Sequence, residues 1–518
     1  MLTKTNLTTA FLLVAGIALM GVGRAEVSMP LLFCGQVLTL LGSRQSGLKV
    51  LVGLGFSALM ISASLVFYGS AHELFGGTGR FLVAMAVGTA LNLVGWLVDR
   101  WAVPRLPRWA APLVFPAIRT PIEVAAALAG PYGVWGSFAA PAAGLWPISG
   151  LVALGGFSLL SFVLLWLASS SALFWQGAVF VRRSRPWLVL APCLVVLLVA
   201  NVVLAAISPK PGPVVRVGAV AAPELSQAYT SRSYDQLEAY GHGTLDPSVT
   251  AALRAASLDT ATQTLRAVEQ AADRGARIVY TGEGDVKVLD LDLPLVEQMA
   301  SRTARAHGIW LGLGVHEFRR AQRPLANMIL LFAPDGRLAS QYEKTHPIGD
   351  EASQMLIGDG HPGGAQTPMA RIAGVICYDT EFLSYTRSIA RAGADILFAP
   401  SNDWPQIASI RAAVTRFRAL ETGMALVRPT RNGVSEIVAP DGRILASAPY
   451  DASQGVVLVA NVPARAVPTL YARLGDWPGA ASLLLLCVLC LGAAWGGYRA
   501  RAAPQNATSR STSGSRLK

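Results

Sequence analysis

The chain has 518 residues, of which 53% are apolar and 14% charged, with a mean hydropathy of +0.45 and a formal net charge of +12. A soluble domain carries roughly 25% charged residues, so composition excludes a single water-soluble globule and excludes disorder for most of the length. The positive excess fits nucleic acid, an anionic membrane surface or a membrane-topology signal, and its location decides among them.

Apolar runs fall near residues 7–23, 27–42, 48–69, 81–98, 110–128, 151–175, 187–207 and 479–498. A bilayer core needs about 20 such residues of helix, so the pattern predicts a polytopic α-helical membrane bundle of about eight spans. The second run is short, and the fifth carries Arg119 and Glu123. Other spans follow the first run almost at once, so it reads as an uncleaved helix rather than a signal peptide. Arg119 and Glu123 are four apart and share a helix face. A charge inside the membrane marks function by default, but a self-neutralising pair that packs the bundle is the simpler reading. Residues 130–147 hold no charge and are rich in Gly, Pro and Trp, which predicts a re-entrant or interfacial loop at a lipid entrance.

With the N-terminus inside, the inner loops and tail hold 14 Lys and Arg, against two, Arg24 and Arg80, in the short outer loops. Such an excess marks the cytoplasmic side and puts residues 208–478 outside the cytoplasm. That segment holds 26 basic and 27 acidic residues, and the rest of the chain 17 and 4. The positive excess therefore sits in inner loops and tail, and a nucleic-acid partner is set aside. The expected domains are a membrane part over 1–207 with about seven helices, an extracytoplasmic domain over 208–478, a last span over 479–498 and a disordered cytoplasmic tail over 499–518.

Within 208–478, strand-like and helical patterns alternate. Strands are expected at Val214–Val220, Arg277–Tyr280, Ile309–Val315, Asn327–Phe332, Leu338–Glu343, Arg371–Cys377, Ile396–Ala399, Ala425–Arg428, Glu436–Ala439 and Ile444–Ser447. Helices are expected at Ser248–Arg274, Leu295–His307, Phe382–Ala392 and Ile407–Thr422. Pro-Asp-Gly at 334–336 and 440–442 marks two hairpins. The result is a layered α/β domain.

Cys34, Cys193, Cys487 and Cys490 lie in apolar runs, where cysteine behaves as a small hydrophobe. Cys377 is alone in the α/β part, so it is either a packing residue or a reactive thiol. No Cys/His spacing suggests zinc, and no cofactor motif is present. His242, His307, His316 and His346 are expected in loops or at element ends. His361-Pro362-Gly363-Gly364 is expected to form a mobile lid.

Cys377 ends a strand in Gly-Val-Ile-Cys-Tyr-Asp, Glu283 ends an earlier one in Tyr-Thr-Gly-Glu-Gly, and Lys344 follows the first hairpin in Tyr-Glu-Lys-Thr-His-Pro. Each alone is a weak signal. Their order resembles the nitrilase (carbon–nitrogen hydrolase) superfamily over residues 214–462. The likeness continues through Pro400-Ser401-Asn402-Asp403-Trp404, Arg418–Gly423 and Asn432-Gly433. It implies an α-β-β-α sandwich and a catalytic Glu283-Lys344-Cys377 triad. Such a domain framed by membrane spans resembles the apolipoprotein N-acyltransferase family, and so does the stretch Phe115–Trp146.

That likeness implies an acyltransferase of the bacterial cytoplasmic membrane. A phospholipid would donate an acyl chain to Cys377, and the acceptor would be the amine of a diacylglyceryl-cysteine apolipoprotein. Glu351 would orient Lys344 or Glu283, and Tyr378, Asp379 and Trp404 would shape the pocket. The same triad on a membrane-tethered amidase is the alternative. Four departures from the family pattern stand out. Gly282 replaces a Pro, Asp379 replaces a Glu, Ile410-Arg411 replaces a Gln-His pair, and Glu351 comes one residue early with Asp350 as its rival.

Overall fold

The computed structural model describes the chain apart from residues 1–3, 68–73, 76, 131–132, 146, 181–186, 209–212, 224–238, 322, 350 and 503–518. Most of the expected tail, the inner-loop cations Arg182, Arg183 and Arg185, and Asp350 lie outside the described residues.

A helix covers each of the eight apolar runs. These are α1 (Lys4–Ala25), α2 (Met29–Gln45), α3 (Leu48–Phe67), α4 (Thr78–Ala102), α5 (Val114–Ala129), α6 (Val152–Phe180) and α7 (Trp187–Ile207), with a last helix at Trp477–Ala502. Among the described residues, six apolar stretches are long enough to cross a membrane, five before the α/β part and one after it. At 17 residues, α2 is shorter than these six. Among the described residues, the buried charges of the bundle include two ion pairs, in line with the cost of burying an unpaired charge. Arg44, counted above among inner-loop cations, is buried; its Nε donates to Asp99 Oδ2 at 2.7 Å and its Nη2 to Ser169 Oγ at 2.7 Å.

Arg119 Nη2 donates to Glu123 Oε1 at 3.0 Å, and Glu123 Oε2 accepts from Phe138 N at 3.2 Å. The pair therefore anchors the loop that follows α5. This corrects the interfacial reading for residues 133–143. Val134, Ala139, Ala140 and Ala142 are fully buried, because this part of the loop packs beneath the α/β part.

The α/β part is an α-β-β-α sandwich. Its first sheet runs β15-β1-β2-β4-β5-β6, with β3 also on β4. The strands are β1 (Val214–Ala221), β2 (Ile278–Thr281), β3 (Val286–Leu289), β4 (Trp310–Phe318), β5 (Leu325–Phe332), β6 (Leu338–Glu343) and β15 (Val456–Pro463). The second sheet runs β14-β13-β11-β9-β8-β7. It contains β7 (Gly363–Gln366), β8 (Arg371–Gly374), β9 (Ile396–Phe398), β11 (Ala425–Arg428), β13 (Val434–Val438) and β14 (Ile444–Pro449). A short parallel pair, β10 (Ser401–Asn402) and β12 (Thr430–Arg431), sits beside them.

Inner faces meet through Val217, Ile278, Ile329, Ile372, Leu426 and Ile437, and Tyr280 stacks on Phe398 at 4.0 Å. The outer face of the first sheet is covered by α8 (Pro247–Asp273) and α9 (Leu293–His307), through Leu265, Val268, Val296 and Ala300. With the second sheet go α10 (Leu383–Arg391) and α11 (Ala408–Thr422). Val414, Phe417 and Leu420 of α11 share one apolar core with Phe138, Phe157 and Leu160. Bundle and sandwich therefore bury surface against each other.

Two local expectations fail. His361–Gly364 is not a free loop, since Gly363 and Gly364 open β7 and pair with Gly374 and Ala373. A Cβ on Gly364 would lie 2.2 Å from Ile372 O, so glycine there serves close strand approach rather than motion. His316 is not at an element end; it lies inside β4 and is fully enclosed, and burial pushes its imidazole down to about 3.

Candidate active site

Glu283, Lys344 and Cys377 come together where three strand ends meet. Beyond β2 the chain turns at Gly282–Asp285. Asp285 fixes this turn by accepting Gly282 N at 2.7 Å and Ala222 N at 3.0 Å, and by pairing with Arg431 Nη1 at 3.2 Å. A proline at 282 has no N–H for the first bond, which gives Gly282 a local reason. The turn delivers Glu283 almost fully buried. Its Oε1 accepts from Lys344 Nζ at 2.9 Å and Asn327 Nδ2 at 2.7 Å, and its Oε2 from Asn402 N at 2.9 Å. The Ser-Asn-Asp motif is thus brought to the carboxylate through a backbone amide.

Lys344 stands one residue past β6. Its Nζ also donates to Glu351 Oε2 at 2.9 Å, which in turn accepts Ile348 N at 2.9 Å. Burial disfavours the ammonium charge, but Glu283 and Glu351 outweigh it and hold the lysine well above its usual value.

The expected strand over 371–377 stops at Gly374. Its ladder continues as Val375 N to Phe398 O at 3.0 Å and Cys377 N to Pro400 O at 2.8 Å. Cys377 then turns with φ +47° into a 3₁₀ turn, Cys377–Glu381. Positive φ is uncommon for a residue with a side chain and is held only where surroundings over-determine it. Asp379 supplies that constraint. Its Oδ2 accepts Ile376 N at 2.9 Å and Tyr342 OH at 2.7 Å, and its Oδ1 accepts His346 N at 2.9 Å and meets His346 Nδ1 at 2.8 Å. Asp379 is therefore fully buried behind the turn and does not line the pocket; it ties the cysteine turn to the lysine segment.

Burial pushes the Cys377 thiol up to about 12; Glu283 adds to the shift, while Arg411 and Lys344 oppose it. Burial therefore favours the protonated thiol over the thiolate at this position.

Tyr378 packs edge-on against Phe382 at 5.4 Å. Both line a cavity of about 440 Å³ with Leu74, Phe75, Arg80, Leu128 and Gly130 of the bundle. Trp404 is not among the residues lining that cavity; it packs edge-on to Trp135 at 6.2 Å. Two further residues reach the site without having been expected there. Asn327 lies inside β5, and Arg411 approaches Cys377 from α11; its Nη2 is 3.0 Å from Cys377 O and 4.0 Å from Sγ. Among the described residues no His, Cys, Asp and Glu cluster fits a metal.

Residues 252–469 match the model of the carbon–nitrogen hydrolase family. Apolipoprotein N-acyltransferase of Gloeobacter violaceus is 31% identical over 43% of this chain and 46% of its own length. Apolipoprotein N-acyltransferase 2 of Treponema pallidum is 32% identical over 32% of this chain and 34% of its own. These alignments span less than half of either relative. An amidase from a Nesterenkonia species has 19% identity and a TM-score of 0.36, covering 49% of this chain and 93% of its own.

Proposed function

We propose that this nitrilase-like domain, carried on a membrane bundle, moves an acyl chain from a phospholipid to the N-terminal amine of diacylglyceryl-cysteine apolipoproteins. The observation that supports this reading is the convergence of Glu283, Lys344 and Cys377; Tyr378, the residue after Cys377, opens onto a cavity walled by bundle residues Leu74, Phe75 and Leu128, which the three residues themselves do not line. A water-soluble substrate needs no wall of bundle residues, whereas a lipid ester gains from leaving the bilayer along apolar side chains such as Leu74, Phe75 and Leu128.

Glu283 accepts the Sγ proton as Cys377 attacks the ester carbonyl. The oxyanion is stabilised by the Lys344 ammonium and by a backbone N–H beyond Cys377; such donors contribute roughly 10²–10³ in rate each. The C–O bond breaks, Glu283 returns its proton to the lysophospholipid oxygen, and the acyl group remains as a thioester. The lipoprotein amine then attacks with Glu283 as base. The C–S bond breaks, an amide forms and Cys377 recovers its proton. Glu351 keeps Lys344 aimed. The domain works on the outer face of the bacterial cytoplasmic membrane, a sidedness that the excess of Lys and Arg in the opposite loops supports.

The test is complementation. In cells depleted of their own N-acyltransferase, this chain should restore growth and N-acylated lipoproteins, and Cys377→Ala should not. Restoration by the Cys377→Ala variant would sink the proposal.

A further inference from the structure

Arg411 stands where the family likeness leads one to expect a different side chain, and it is the cation nearest the nucleophile that the mechanism above leaves unused. It lies on the first turn of α11 with 2% of its side chain exposed. Nη2 donates to Cys377 O at 3.0 Å, reaches Thr380 Oγ1 at 3.4 Å and lies 4.0 Å from Sγ. Nη1 donates to Glu381, at the far end of the same turn, and Nε lies 3.7 Å from Asp403. The face of the guanidinium stacks over Trp135 at 5.1 Å. Trp135 belongs to the membrane loop, and Val134 N of that loop points to Glu381 Oε2 at 3.4 Å.

From these contacts we infer that Arg411 is a positioning residue of Cys377, held in place by the membrane loop, that fixes the strained cysteine turn at both ends and favours its thiolate. This inference rests on Cys377 being the nucleophile.

The physical case has three parts. First, Cys377 has φ +47°, and such a turn needs bonds at both ends to persist. Arg411 joins Cys377 O at the start of the turn to Glu381 at its end, while Asp379 fastens the preceding Ile376 amide. Second, only a planar fork reaches a carbonyl, a carboxylate and an aromatic face at once. Third, a buried ion pair is weak support for stability, because desolvation offsets the Coulomb gain. The Arg411–Glu381 pair is therefore poorly explained as a brace alone, whereas a fixed cation beside a thiol has a clear electrostatic use.

The charged or titratable groups around Cys377 are Glu283 beyond β2, Lys344 beyond β6, Asp403 beyond β10, Arg411 on α11, and Tyr378, Asp379 and Glu381 on its own turn. Asp403 is tied to Arg428 at 2.6 Å and its charge is largely matched there. Removing Arg411 leaves Lys344 as the remaining nearby cation, itself shared by two carboxylates, so the thiol must become harder to ionise.

The test is iodoacetamide alkylation of Cys377 in the full chain, read by peptide mass spectrometry from pH 7 to 10, with kcat and KM alongside. An opposite charge at this range moves a pKa by about 1–3 units, and a more basic thiolate recovers part of the loss. Arg411→Gln should therefore alkylate about three- to thirtyfold more slowly at each pH, and kcat should fall while KM holds. Arg411→Lys keeps the charge but not the fork. It should alkylate within about twofold of the parent chain and still lose kcat, by about tenfold if the turn loosens as it does when a transition-state interaction is lost.

Unchanged alkylation in folded Arg411→Gln overturns the inference. If Arg411→Gln does not fold, Arg411→Lys carries the test, and full kcat in that variant overturns it. Neither result touches the proposed reaction, which fails separately if Cys377→Ala retains activity.

Discussion

Asp379 accepts four hydrogen bonds with no exposed surface, and every one of them ends on the segments that carry Cys377 or Lys344. Bonds to a charged acceptor contribute roughly 1.5–3 kcal/mol each, with poor additivity. Asp379→Ala should therefore lower stability by about 3 kcal/mol in thermal unfolding of the detergent-solubilised chain. It should also cut activity. Equal melting temperatures for Asp379→Ala and the parent would contradict the clamp.

A second outcome follows from the thiol's raised value of about 12. The alkylation rate of Cys377 should still be climbing at pH 10, since the thiolate remains a minority there, and a plateau near pH 8 would contradict the burial argument. At this scale Glu283, Lys344 and Cys377, which the fold brings together, were legible in the sequence as candidates, because each sits in a short motif at an element end. Asn327 was not, since it lies mid-strand and reaches the site only through folding across 44 positions, and Arg411, noted only as a departure from the family pattern, meets Cys377 from the first turn of α11 across 34 positions. Asp379 was legible as a site residue, but its place behind the turn depends on Tyr342 and His346, which no local pattern links to it.

At the scale of elements, the join between bundle and sandwich is built at the start of α6. Gly155 and Gly156 depart from helical backbone there, Gly156 with φ +68°. Phe157 N, freed from the helix ladder, donates to Glu421 Oε1 at 2.9 Å, and Ser158 Oγ donates to Asp476 Oδ1 at 3.2 Å. A Cβ on Gly156 would lie 2.5 Å from the Tyr471 ring. Gly156→Ala meets both a strained backbone and a clash. It should cost about 1–3 kcal/mol, with a matching drop in melting temperature, whereas Gly53→Ala on α3, where nothing lies within 4 Å, should not.

Helices and hairpins were readable from periodicity and Pro-Asp-Gly turns. The strands β3, β7 and β15 were not. Two of them have four residues, too few for an alternation to register, and β7 begins with two glycines whose role is close packing. The loop over 130–147 misled for a related reason. Gly, Pro and Trp without charge suit a membrane interface, but they suit equally a loop buried under another domain. Only the partners at Glu381, Arg411 and Trp404 separate the two.

At the scale of the molecule, charge and hydropathy divided the chain correctly into an apolar bundle and a near-neutral α/β part, because those averages do not depend on contacts. Sidedness rests on the loop cations. A membrane-impermeant maleimide should label Ser453→Cys, on an exposed turn, in cells whose outer membrane is permeabilised but whose inner membrane is intact. Labelling that requires inner-membrane lysis would reverse the orientation. The two parts also share one core, so activity should depend on the whole chain rather than on the sandwich alone.

The most direct measurement of the central claim is intact-protein and peptide mass spectrometry of the purified full chain after incubation with a phospholipid of one defined acyl chain. The account predicts one added acyl group, on Cys377, that is discharged as an amide when a diacylglyceryl-cysteine peptide is supplied. An unmodified Cys377, or discharge only to free fatty acid in the presence of that peptide, would contradict it.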